Sequence, residues 1–104
     1  MKVKTKQEVV DIIRENLDKF ALFGVLEVGL FGSFVREEQN DESDVDLLVN
    51  LQADDPRVYC DNYFALLDFV DTLFGRKVDV ITENSITEIT GLNICREVEY
   101  VTRS

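Results

Sequence analysis

The sequence predicts a small α/β or α+β fold, and three observations carry that expectation. Apolar residues recur at helical spacing in two stretches, residues 5–24 and 55–74. Short apolar runs rich in bulky residues lie between and after them, at 25–31, 44–51 and 77–81. The chain has 104 residues, 45% of them hydrophobic and 31% charged, the balance of one globular domain rather than a disordered or membrane chain.

Each element has a local reason. Thr5-Lys6-Gln7-Glu8 has the spacing of a capping box, and Val9, Ile13, Leu17 and Phe20 form the stripe of one helix ending near Gly24. Residues 25–31 read as a buried strand bounded by glycines. The polar stretch from Ser33 to Ser43 reads as a loop, with a helical turn just after Ser33. Residues 44–51 form the second strand. Asp54-Asp55-Pro56 then supplies an N-cap and a first-turn proline, and Gly75 a C-cap. The helix between them would bury Tyr59, Tyr63, Leu66, Leu67, Val70, Leu73 and Phe74. Residues 77–81 make a third strand, and a short helix at 92–97 and a terminal strand at 99–102 close the chain. The order is αββαβα.

Composition removes several chemistries. There is no histidine, which excludes a Ser-His-Asp triad, a His-ligated zinc and a histidine base. Two cysteines, Cys60 and Cys95, are too few for a metal site built from cysteines alone and read as small buried or half-buried side chains. The net charge of −10 opposes general nucleic-acid binding. No apolar run is long enough to span a bilayer and no signal-peptide core follows the N-terminus, so a cytoplasmic location and no membrane partner are expected. So small a domain leaves much of its surface unburied and encloses no deep substrate cavity. Its apolar helical stripes suit pairing with a second copy or with a partner protein.

The sharpest feature is Gly32-Ser33, then ten residues, then Asp44-Val45-Asp46. Strand side chains alternate, so Asp44 and Asp46 share a face about 7 Å apart along the backbone. There they either converge on a hard divalent cation such as Mg2+ or stand as solvated strand residues. Gly32-Ser33, directly after a strand, is either an anion-binding turn with exposed N–H groups and a hydroxyl or a plain strand ending. Arg36 either reaches the same anion or pairs with an acidic neighbour. Asp79 is an isolated carboxylate between Val78 and Val80. If its strand lies beside 44–51, it faces the same site and can accept a proton from an attacking hydroxyl.

Gly32-Ser33-x10-Asp44-x-Asp46, with Asp79 on a Val-Asp-Val strand, resembles the nucleotidyltransferase superfamily typified by the DNA polymerase β palm. The wording from Gly32 to Arg36, Ser43 to Val49 and Ile94 to Val101 is similar to the minimal nucleotidyltransferases (MNT), antitoxins paired with HEPN ribonuclease toxins. The resemblance spans nearly the whole chain. It implies a polymerase β-like palm, a mixed sheet flanked by helices, that uses ATP with Mg2+, two ions in all, and transfers AMP to a tyrosine hydroxyl of a cognate HEPN toxin. On that likeness Asp44 and Asp46 would bind metal, and Asp79 would help bind it and activate the acceptor. Gly32 and Ser33 would cradle the triphosphate with support from Arg36. Glu37 departs from the family, which commonly has glycine there. Competing expectations are an antitoxin that acts by occlusion alone, and a nucleotidyltransferase acting on RNA or a small molecule. Neither the acidic charge nor the short chain favours the last.

Overall fold

The computed structural model describes residues 3–83 and 96–102. Helix α1 (Lys6–Glu15) begins where the Thr5 hydroxyl accepts the amide of Glu8 at 3.1 Å. The single helix expected as far as Gly24 is instead divided, and α2 (Leu17–Leu22) follows after a turn at Asn16. The Asn16 side chain donates to the Ile12 carbonyl at 2.8 Å, and its backbone N–H turns to the Ile13 carbonyl. A side-chain amide that competes for ladder carbonyls bends a helix, and here it ends one. Val9, Ile13 and Phe20 are still buried on a common core.

Strand β1 (Val25–Phe31) runs antiparallel to β2 (Val45–Leu51), and β2 runs parallel to β3 (Val78–Thr82) through the connecting helix α3 (Pro56–Phe74). Strand β4 (Glu99–Val101) pairs antiparallel with β1, so the sheet order is β3-β2-β1-β4. This mixed sheet with helices is the expected architecture. Helix α3 starts with the Asp55 carboxylate accepting the Arg57 amide at 2.8 Å and ends at Gly75 in the left-handed region (φ 67°). Of the helix expected at 92–97, only Arg96 and Glu97 lie among the described residues, and they are helical. Cys95 lies outside them.

The two sheet faces differ in kind. Val45, Leu47, Val49 and Leu51 alternate into the helix-covered core with Val28, Leu30, Leu66, Val70 and Phe74. Tyr59 and Tyr63 are half-buried against that core, as their spacing predicts. The opposite face holds a small apolar cluster of Phe31 and Leu48 flanked by Ile81 and Val98, and continues into polar residues. Cys60 is exposed rather than buried, because it sits one position off the apolar stripe of α3. No helix among the described residues is long and apolar enough to cross a membrane.

One arginine ties the connections together. Arg76 donates to the backbone carbonyls of Asn40 (3.0 Å), Ser43 (2.7 Å) and Val3 (2.6 Å), and its guanidinium lies 5.1 Å from the Phe34 ring centroid. The loop from β1 to β2 and the N-terminal segment are thereby fixed to the start of β3. Replacing Arg76 with leucine removes these three hydrogen bonds and is expected to lower stability by about 2 kcal/mol in urea denaturation, at unchanged slope. Arg76→Lys restores less than half of that, since an ammonium lacks the planar fork.

Candidate active site

The acidic face is assembled by register. In the parallel β2–β3 pair Asp46 lies opposite Asp79, and across the antiparallel pair Asp46 lies opposite Phe31, the residue before Gly32. Three strand ends therefore meet where Asp46, Asp79 and the Gly32-Ser33 turn stand together. The adjacency of the two strands, left conditional by the sequence, is met.

Gly32 is required here twice over. Its φ of +79° is a conformation that side-chain-bearing residues rarely adopt, and a Cβ would collide with Asp46 Oδ2 and lie 2.9 Å from Asp46 Cγ. The chain then makes a short helical turn, in which the Arg36 amide donates to the Gly32 carbonyl at 3.2 Å. The Glu38 amide donates to the Ser33 carbonyl (2.9 Å) and the Glu37 amide to that of Phe34 (3.2 Å). This paired closure puts its hinge residue in the left-handed region, and Glu37 has φ 59°. Glycine suits that position, and a glutamate holds it at a cost of about 1 kcal/mol. The departure at Glu37 thus keeps the backbone course, and its side chain is exposed.

The carboxylates are unequal. Burial, then Asp79, then Asp44 push the Asp46 carboxyl up from its ordinary 3.8 to about 6, against a lowering influence from Arg36. Asp44 is half-buried with Lys77 Nζ 3.7 Å from its Oδ2, whereas Asp79 is exposed. Among the described residues no group of three or more acidic or cysteine side chains is placed so that it could hold a metal ion. The donor chemistry nevertheless suits a hard divalent cation, because a half-buried carboxylate crowded by two others is relieved by positive charge.

Arg36 takes the acidic pairing that the sequence offered as one of its two fates. Its Nε is 3.1 Å from Glu38 Oε2, the acidic-neighbour pair, and its Nη1 donates to Glu97 Oε2 at 2.7 Å. Glu97 Oε1 in turn accepts the Gly32 amide at 2.9 Å. Sequence reasoning missed Glu97, since no spacing or pattern links it to a glycine 65 positions away. Only the pairing of β4 with β1 brings it back to the turn. A cleft of about 330 Å3 between α2, β1 and β4, lined by Leu17, Phe20, Leu26 and Tyr100 among others, lies at the start of β1. The acidic residues cluster at the end of that strand, and the cleft plays no part in them.

A mixed sheet whose strand ends gather aspartates beside a glycine-serine turn defines a nucleotidyltransferase palm. The chain belongs to the nucleotidyltransferase domain family, whose profile matches residues 8–102. It is 32% identical over 102 residues to protein adenylyltransferase MntA of Thermococcus cleftensis, covering 97% of this chain and 100% of that protein. A structure provisionally described as a minimal nucleotidyltransferase superposes with TM-score 0.77 at 24% identity, covering 92% of this chain and 95% of that one. A tri-AMPylated HEPN toxin in complex with an MNT antitoxin, from Shewanella oneidensis, matches with TM-score 0.55 at 14% identity over 95% of this chain and 70% of that one.

The raised Asp46 carboxyl has a consequence for stability. Between about pH 4 and 6 the folded chain holds a proton at Asp46 that the unfolded chain has lost, so this contribution falls as pH rises through that window. Asp46→Asn should therefore stabilise the protein above pH 7 and give no gain at pH 4. Screening of the half-exposed group limits the gain to on the order of 1 kcal/mol, a few degrees in Tm, read by thermal melts at both pH values.

Proposed function

We propose that this protein is a divalent-cation-dependent antitoxin that transfers AMP from ATP to a tyrosine hydroxyl of a HEPN-type ribonuclease toxin, silencing it. The observation that carries this reading is the Asp46–Asp79 register beside Gly32, with the Asp44 charge acting on Asp46 as well. The identity to a protein adenylyltransferase along nearly its whole length supports the choice of AMP and of a protein acceptor. The likeness to an antitoxin bound to an AMPylated toxin supports the choice of partner.

The residues divide the work. Asp44, Asp46 and Asp79 would hold Mg2+, which supplies charge neutralisation for the phosphates and polarises the acceptor oxygen. The Gly32 amide, the Ser33 hydroxyl and Arg36 orient the triphosphate so that its α-phosphorus faces the acceptor. Asp79, the most exposed of the three acids, takes the hydroxyl proton as the tyrosine oxygen bonds to the α-phosphorus. The bond from that phosphorus to the β-phosphate oxygen breaks, and pyrophosphate leaves. The exposed acids Glu37, Glu38, Asp41 and Glu42 present a negative surface beside the site, suited to a ribonuclease whose own surface must hold RNA phosphates.

Co-expression with a cognate HEPN-type toxin, followed by intact-mass measurement of the toxin, tests this reading. Wild-type protein is expected to add one or more AMP units. The double variant Asp44→Asn, Asp46→Asn should lose at least about a hundredfold in rate. Equal toxin mass and equal neutralisation with both forms would establish occlusion instead.

A further inference from the structure

Glu97 stands where the proposed function puts a phosphate. Its two carboxylate oxygens take the Gly32 amide at 2.9 Å and Arg36 Nη1 at 2.7 Å. A backbone N–H and a guanidinium held side by side are donors that fit two oxygens of a phosphate as well as two of a carboxylate. The Gly32 amide has a single hydrogen, so it cannot serve Glu97 and a nucleotide together. Glu97 also adds its negative charge to those of Asp79 and Asp44 around Asp46. A quarter of its side chain remains exposed, which leaves the carboxylate a path into water.

We propose that Glu97 is an internal competitor for the phosphate cradle: its carboxylate occupies the Gly32 amide and Arg36 in the nucleotide-free protein, and a triphosphate must displace it to bind. This rests on the nucleotide reading of the Gly32-Ser33 turn given above. The consequence is a threshold on affinity. When the cradle is open about one tenth of the time, apparent nucleotide affinity is about tenfold weaker than the intrinsic value. A nucleotide with few phosphate charges opens it poorly, so Glu97 also sharpens the preference for triphosphates over monophosphates.

Calorimetric titration of AMP-PNP with Mg2+ into wild type, Glu97→Gln and Glu97→Ala tests the proposal, with thermal melts to verify folding. Both variants are expected to bind about tenfold tighter than wild type. The Gly32 amide resonance, followed by 15N NMR, reads displacement directly. It should differ between wild type and Glu97→Gln without nucleotide and coincide at saturation, because Glu97 has then left. Unchanged or weaker binding in folded variants, or resonances that stay apart at saturation, would overturn the competitor role and leave the nucleotide site standing. Binding that moves the Gly32 amide in none of the three proteins, or no binding at all, would overturn the site reading and the proposal with it.

Discussion

A carboxyl group half-buried among other carboxyls is the constraint on which the rest of this structure turns. Asp46 faces Asp79 across a parallel register and lies so close to Gly32 that no side chain fits there. Placing like charges together in this way costs stability, and the protonation preference of Asp46 records that cost. A sheet built for stability alone would carry apolar or uncharged residues here, as its other face does at Val45, Leu47 and Val49. On the proposed function, a cation would relieve this crowding by bringing positive charge, and a phosphate chain would meet the donors of the adjoining turn.

The surroundings keep this arrangement in place. The turn after Gly32 closes as the Glu38 and Glu37 amides donate to the Ser33 and Phe34 carbonyls, with Glu37 accepting a left-handed conformation that holds the turn's course. Arg76 fixes the loop that follows by two backbone carbonyls, those of Asn40 and Ser43 just before Asp44, and holds the N-terminal segment by a third, that of Val3. Glu97 occupies the cradle from the far end of the sequence. Arg76 and Glu97 both bring a charged side chain onto backbone, which is how so small a chain organises a site without a large core.

Much of this is legible in the sequence, and the limits have physical causes. The Asp44 and Asp46 pair, the Gly32-Ser33 turn and the caps at Asp55 and Gly75 are local signals, set by strand alternation and by backbone conformations that few residues allow. The lateral placement of Asp79 is only conditional there, because parallel pairing joins segments separated by a whole helix and leaves no mark on either strand. Glu97 and Arg76 act through contacts made across the fold, and neither carries a periodic or motif signal. The break at Asn16 is hidden by an apolar stripe that continues in phase on both sides of it. The exposure of Cys60 runs against its residue type, because helix position decides.

The central claim is that the crowded acids exist to receive a cation with a nucleotide. The carboxyl 13C shift of Asp46, titrated against pH, tests it most directly. Without ligand the midpoint should lie at about 6, and with Mg2+ and AMP-PNP present it should fall below the ordinary carboxylate value of 3.8. A midpoint near 6 that Mg2+ and AMP-PNP leave unmoved would contradict the account.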